Sequence, residues 1–129
     1  MDPPAAAAAP WRVLLVEDSR DDAELIEISL REAGLALECR QAWSMAMVQE
    51  ALRDFAPQLV LSDLNLPGFS AAEALALVRG HDPDLPFVLL SGLPADALPD
   101  AASAGDAVLS KDALDELPDL VRRLLAAPA

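Results

Sequence analysis

The chain has 129 residues, with 22 acidic and 9 basic side chains and a formal net charge of −13 at pH 7. This length fits one domain and is too short for two of ordinary size, and the acidic excess disfavours direct binding to nucleic acid. No apolar stretch approaches the ~20 residues of a membrane span, so the sequence predicts a cytoplasmic protein without a membrane partner.

Residues 1–10 differ in composition from the rest of the chain. They contain three prolines and five consecutive alanines, and they lack a pattern that could bury one face of a helix or strand. We therefore expect residues 1–10 to form a flexible leader and residues 11–127 to form a single domain.

The first predicted strand is the apolar run over residues 12–16, which ends in the acid pair Glu17 and Asp18. Ser19 is suited to cap a helix, and apolar residues then recur at helical spacing. Gly34 supplies a stop for that helix. The first strand therefore delivers two carboxylates to the point where a helix begins.

The second predicted strand, residues 35–40, has one face more apolar than the other, which is typical of a sheet edge. Ser44 can cap the next helix, and Pro57 prevents that helix from continuing. The third strand, residues 59–63, is a continuous apolar run whose last residue is Asp63. Asp63 is thus predicted to lie at the edge of a sheet.

The next helix has a capping box at its start. Ser70 and Glu73 have the required spacing, and Gly80 is predicted to close the helix after Arg79.

Two further strands end in polar residues. The fourth, residues 87–91, ends in Ser91, and the fifth, residues 107–111, ends in Lys111. A last helix begins near Pro118, since proline is tolerated in the first turn.

Apolar strands that alternate with amphipathic helices predict the α/β fold class. We expect a doubly wound, five-stranded parallel sheet of order 2-1-3-4-5 with helices on both faces. In that order a crevice forms at the carboxyl ends of strands one and three. Glu17, Asp18 and Asp63 meet there, and the last two strands bring Ser91 and Lys111 to the same edge.

Three carboxylates in one crevice repel each other unless a cation neutralises them, and hard oxygen ligands suit Mg²⁺. A divalent cation, a hydroxyl and an ammonium together fit a phosphoryl group, which a carboxylate such as Asp63 can accept covalently. Taken singly, Asp63 has a simpler interpretation as a loop cap. Lys111, the only lysine in the chain, could by itself be a solvated strand end. Together the strand-end positions are far more specific.

In their order and spacing, these strand-end residues resemble the receiver domain of bacterial two-component response regulators, a CheY-like, flavodoxin-like fold. The resemblance covers residues 12 to about 126. The residues that carry it are Glu17, Asp18, Asp63, Ser91 and Lys111.

The resemblance implies a role for each of these residues. The acid pair, Asp63 and the backbone carbonyl of Asn65 would hold Mg²⁺. Asp63 would take a phosphoryl group from a histidine kinase or a histidine phosphotransfer protein, while Ser91 and Lys111 would contact the phosphoryl oxygens. Such a protein is a signalling receiver that catalyses only its own phosphoryl transfer and dephosphorylation and switches a partner or an attached domain.

Several positions depart from the family pattern, among them Val108, Asp112 directly after the lysine, and Ala71 where a glycine is frequent. Val108 stands where an aromatic residue usually turns inward on activation, and a short β-branched side chain has little rotameric freedom. We expect the 92–105 segment, with a short helix at most over residues 94–104, to rearrange instead through Ser91.

Three rival functions fit the sequence less well than the receiver. A haloacid-dehalogenase-like phosphatase needs a second Asp two residues after the nucleophile, and Asn65 stands there. A flavodoxin-like cofactor module needs a Gly-rich phosphate loop, which this chain lacks. A pseudo-receiver would not need the acceptor Asp, the acid pair, the serine and the lysine, all of which are present. The sequence does not identify the cognate kinase or the output partner. It fits either a stand-alone protein or a fragment of a longer one, and either a monomer or an oligomer such as a phosphorylation-dependent homodimer.

Overall fold

Strands alternate with helices up to the fourth strand in a computed structural model that describes residues 10–63, 68–92 and 106–126. A 3-10 helix, Lys111–Glu116, joins the last strand to the last helix. The strands and α-helices, in chain order, are β1 (Trp11–Val16), α1 (Arg20–Glu32), β2 (Leu37–Ala42), α2 (Met45–Asp54), β3 (Leu59–Asp63), α3 (Ala71–His81), β4 (Phe87–Ser91), β5 (Ala107–Ser110) and α4 (Leu117–Ala126).

The five strands form one parallel sheet in the order β2-β1-β3-β4-β5. The predicted fold class and strand order are therefore confirmed. All residues of β3 and β4 are buried, as expected for central strands covered on both faces. The carboxyl ends of the strands share one edge of the sheet, which we call the carboxyl edge; the opposite one is the amino edge.

Alternate residues of β1 enter two different cores, because successive side chains of a strand point to opposite faces. Val13 and Leu15 pack in the core that includes residues of α1 and α4. Leu14 and Val16 pack in the core that includes residues of α2 and α3. Helices thus cover both faces of the sheet, and the strands emerge between them at the carboxyl edge.

The predicted helix starts are confirmed by their caps. Ser19, Ser44 and Ser70 each accept a hydrogen bond from a backbone N–H in the first turn of the helix that follows, and Ser70 forms the full capping box with Glu73. Gly34 follows α1 with φ +94°, a conformation that favours glycine.

Three predicted strands have wrong boundaries, and the first of them, β1, begins one residue earlier than predicted, at Trp11. β5 ends at Ser110, and Lys111 opens the 3-10 helix, because the Ser110 hydroxyl accepts a hydrogen bond from the Asp112 N–H and turns the chain. β2 runs from Leu37 to Ala42 rather than over residues 35–40, since its pairing with β1 begins at Leu37 and continues to Ala42.

Gly80 does not close α3. The helix continues to His81, and the Asp82 N–H still donates to the Val78 carbonyl at 2.8 Å. A glycine ends a helix by adopting a positive φ, and Gly80 does not have one.

Several predictions fall outside the described ranges. They concern the leader except for Pro10, the Asn65 carbonyl, and the short helix over residues 94–104 with its rearrangement. The single domain over residues 11–127 also stays a prediction. Within the part of the chain that is described, none of the helices has the length and apolar character needed to cross a membrane.

Candidate functional site

Three carboxylates meet at the carboxyl edge, as the sequence predicted. Val16 pairs with Ser62 in the sheet, so Glu17 is level with Asp63 on the neighbouring strand. Glu17 is 2% exposed and Asp63 is 8% exposed, whereas Asp18 faces solvent. One carboxylate oxygen from each acid lies within 4.8 Å of the others. We call these three residues the carboxylate cluster; its hard oxygen atoms are the ligands that Mg²⁺ prefers.

Lys111 brings an ammonium group into the same site. Its Nζ lies 2.8 Å from Glu17 Oε1, 2.8 Å from Asp22 Oδ2 and 3.5 Å from Asp63 Oδ2. The first two contacts are hydrogen bonds, and the Lys111 side chain is 19% exposed. One cation is therefore shared among three carboxylates, which lie directly after β1, in the first turn of α1 and at the end of β3.

Asp22 is the site residue that sequence reasoning missed. Its N–H donates to the Ser19 hydroxyl at 3.2 Å, and the Ser19 N–H donates to Glu17 Oε2 at 3.3 Å. The first turn of α1 is thereby bonded to the carboxylate cluster. One signal could have found Asp22: it lies four residues before the buried Ile26, hence on the side of α1 that faces the protein.

The pKa values of Glu17 and Lys111 are both raised, for different reasons. Burial, reinforced by the charge of Asp63, raises the pKa of the Glu17 carboxyl to about 7, although the hydrogen bond from Lys111 opposes this. Burial by itself lowers the pKa of Lys111, but the hydrogen bonds to Asp22 and Glu17 and the charge of Asp63 outweigh burial and raise it. The ammonium therefore stays charged near neutral pH.

Ser91 lies at the end of β4 and is fully buried. Asp63 pairs with Leu90, so Ser91 stands one residue beyond the level of Asp63. Ser91 itself pairs with Ser110, the residue before Lys111. The register thus places its backbone between those of Asp63 and Lys111, as predicted.

Val108 is partly buried against the core that includes α2 and α3. It is thus on the face of the sheet opposite to α1.

An apolar surface adjoins the site on the side of α1. Leu25 is 55% exposed and Ile28 is 48% exposed. A cavity of about 200 Å³ beside Leu25 is lined by Asp22, Leu25, Ile26, Lys111 and Leu114, and Ile28 lines a neighbouring cavity that also includes Leu25 and Leu114. Exposed side chains of this size, next to a reactive site, are typical of a surface that meets another protein.

The family model described as response regulator receiver domain matches residues 13–122. The C4-dicarboxylate transport transcriptional regulatory protein DctD of Rhizobium meliloti is 32% identical over 126 residues, covering 91% of this chain and 25% of DctD. The chain therefore spans a quarter of the length of that relative.

Two solved structures of a similar protein contain a ligand or a partner. The response regulator TrrA of Thermotoga maritima in complex with Mg²⁺-BeF is 29% identical, with a TM-score of 0.70 over 88% of this chain and 98% of that chain. TrrA in complex with the histidine kinase ThkA is 28% identical, with a TM-score of 0.70 over 90% of this chain and 99% of that chain.

Proposed function

This chain belongs to the family of response regulator receiver domains, and we propose that Asp63 is its phosphoacceptor. A receiver domain is the phosphoacceptor module of a two-component system. The proposal rests on one observation: the Asp63 carboxylate is both a member of the carboxylate cluster and 3.5 Å from the Lys111 ammonium. Glu17 shares both features, but it is the more deeply buried of the two acids, at 2% exposed against 8% for Asp63.

Mg²⁺ is the metal that fits the carboxylate cluster. Glu17, Asp18 and Asp63 supply three hard oxygen ligands, and the Asn65 carbonyl would supply a fourth. The complex of TrrA with Mg²⁺-BeF supports this choice. Bound Mg²⁺ supplies positive charge that offsets the negative charge of the phosphoryl group and of the acids.

In the transfer step, a carboxylate oxygen of Asp63 attacks the phosphorus of a phosphohistidine. The new O–P bond forms as the P–N bond breaks, and the imidazole nitrogen keeps the electron pair. Lys111 donates a hydrogen bond to one phosphoryl oxygen and Ser91 donates to another. The protein also catalyses hydrolysis of its own aspartyl phosphate, and it acts on no other substrate.

The phosphodonor is a histidine kinase or a histidine phosphotransfer protein, and the complex of TrrA with ThkA supports a partner of this class. The donor must bring its phosphohistidine to Asp63, so it has to cover the surface around the site. Leu25, Ile28 and Leu114 form the apolar part of that surface on the side of α1. We further propose that the protein is cytoplasmic and that its phosphorylation switches a partner protein or an attached domain.

Asp63→Asn tests the acceptor. The wild-type protein, incubated with Mg²⁺ and acetyl phosphate, should gain one phosphoryl group by mass, and Asp63→Asn should gain none. Asp115→Asn removes an exposed carboxylate of the 3-10 helix and should keep the wild-type yield. An equal yield from Asp63→Asn would show that another residue is the acceptor.

Leu25→Asp tests the donor surface. It should slow phosphorylation by a purified histidine kinase that phosphorylates the wild type, because a charge is placed in an apolar contact. Its rate with acetyl phosphate should be unchanged. Trp11→Asp is the matched control, since Trp11 is an exposed apolar residue at the amino edge. Equal slowing by Leu25→Asp with both donors would place its effect on chemistry or folding rather than on docking.

A further inference from the structure

Four hydrogen bonds join α1 and Lys111 in a closed ring. Glu17 accepts from the Ser19 N–H, and the Ser19 hydroxyl accepts from the Asp22 N–H. Lys111 closes the ring by donating to both Asp22 and Glu17 at 2.8 Å. The ammonium is therefore held from two sides, and only one of these two carboxylates belongs to the carboxylate cluster.

Glu17 is a partner that Lys111 must share. One of its oxygens bonds Lys111 and the other bonds the Ser19 N–H, yet Glu17 also lies in the carboxylate cluster. A divalent cation in that cluster competes with the ammonium for the Glu17 oxygens, since both are cations drawn to the same lone pairs.

Asp22 has no such conflict. It is not a member of the carboxylate cluster, and its side chain is 40% exposed. Its position is fixed by the cap of α1, since its own N–H is bonded to Ser19. Asp22 can therefore keep its bond to Lys111 after a cation has engaged Glu17.

We propose that Asp22 is a positioning residue that holds the Lys111 ammonium beside Asp63 when the carboxylate cluster is loaded with metal. Glu17 and Asp22 share this task without metal, and Asp22 carries it with metal. An ammonium has three donors, so Lys111 can keep its bond to Asp22 and direct another donor to the phosphoryl group. This inference rests on the proposed function of the site.

Lys111 can be observed directly because it is the only lysine in the chain. With lysine enriched in ¹⁵N at Nζ, an NMR spectrum contains one lysine side-chain signal. The rate at which the Nζ hydrogens exchange with water reports how firmly the ammonium is held. In Mg²⁺, Asp22→Asn should exchange about fivefold faster than the wild type, the size expected for losing one partly exposed charge-assisted hydrogen bond. Without Mg²⁺ the difference should be below about twofold, since Glu17 still holds the ammonium.

Two further variants separate positioning from a general effect on the helix. Asp21→Asn removes an exposed carboxylate from the same turn of α1 and should leave the Lys111 signal unchanged in both conditions. Asp22→Glu should restore slow exchange in Mg²⁺. With acetyl phosphate, Asp22→Asn should take up the phosphoryl group about fivefold more slowly at an unchanged Kd for Mg²⁺.

The outcomes distinguish this inference from the proposed function. If Asp22→Asn exchanges slowly in Mg²⁺, or if Asp21→Asn exchanges as fast as Asp22→Asn, the role of Asp22 is wrong. Phosphoryl uptake by the wild type would still support the proposed function in that case. A wild type that neither responds to Mg²⁺ nor takes up a phosphoryl group overturns both.

Discussion

The two edges of the sheet use polar side chains in opposite ways. At the carboxyl edge, charged side chains bind one another: Lys111 bonds Glu17 and Asp22 near Asp63. At the amino edge, they bind mainly the backbone. The Arg12 Nε donates to the Ala56 carbonyl at 2.8 Å, where it fixes a connection between a helix and a strand.

Asp106 shows the amino-edge pattern most fully. Its Oδ2 accepts from the Phe87 N–H at 2.7 Å and from Arg79 at 3.0 Å, while Arg79 also donates to the Leu85 carbonyl. Arg79 and Asp106 are thus paired with each other as well as with the backbone. The carboxyl edge instead gathers more acids than cations, which costs stability and leaves a demand for a bound cation. One edge maintains the fold, and the other is assembled for binding.

Lys111→Arg should cause the largest change, at the carboxyl edge. Nζ lies among three carboxylates, two of them at 2.8 Å, and a broad planar guanidinium cannot occupy that compact position. The rate of phosphoryl uptake from acetyl phosphate should fall at least about tenfold although the charge is kept. Arg123→Lys, the reverse exchange at an exposed position of α4, should have no effect. A wild-type rate in Lys111→Arg would refute this account of the site.

The affinity for Mg²⁺ should depend on pH through Glu17. Because the pKa of its carboxyl is raised to about 7, metal binding below that pH must displace a proton, and the affinity should fall by up to about tenfold per pH unit. Calorimetric titrations from pH 5.5 to 8 would measure this slope, and Glu17→Gln should flatten it.

The raised pKa of Glu17 also makes the stability of the metal-free protein depend on pH. Without metal, the folded state binds the Glu17 proton more tightly than the unfolded state, so the free energy of unfolding should fall as the pH rises from 4.5 to about 7. A stability that rises over this range in the wild type, relative to Glu17→Gln, would contradict the shift.

Asp106→Ala should affect the amino edge alone. It leaves the Phe87 N–H without its acceptor and should lower the free energy of unfolding by about 1–2 kcal/mol. Phosphoryl uptake should remain as in the wild type. Asp84→Ala, an exposed acid at the same edge, should change stability by less than about 0.5 kcal/mol in urea unfolding. A loss of uptake in Asp106→Ala would show that the two edges are not independent.

Ala56→Gly should produce the smallest effect, a gain in stability. Ala56 has φ +51°, where its Cβ is strained and glycine is not. The free energy of unfolding should rise by about 0.5 kcal/mol, while Ala76→Gly, at an exposed position inside α3, should lower it by about as much. A shift of the urea midpoint in the same direction for both variants would rule out relief of strain.

The carboxyl edge was predictable from the sequence because short apolar runs mark where strands end. Glu17, Asp63 and Ser91 each follow or close such a run, and a parallel sheet brings those ends together. Lys111 was placed at the right edge but in the wrong element, since the capping bond of Ser110 that starts the 3-10 helix involves only a common serine.

Asp22 and the amino edge were harder to predict for a physical reason. An acid in the first turn of a helix is already explained by the helix dipole, so nothing in α1 itself calls for a partner 89 residues away. The bonds of Asp106 likewise join a loop to a strand start through side-chain geometry. Such contacts have no sequence period, whereas strands and amphipathic helices do.

The closed ring at the carboxyl edge has a consequence for folding. Lys111 and Glu17 are 94 residues apart in the chain, so their contact requires the closure of a very long loop, and parallel strand pairing is slow for the same reason. A chain whose last strand has not yet docked holds Asp63 without the ammonium beside it. If Asp63 is the acceptor, as proposed, we expect the chain to become competent for phosphoryl uptake only once β5 has joined the sheet.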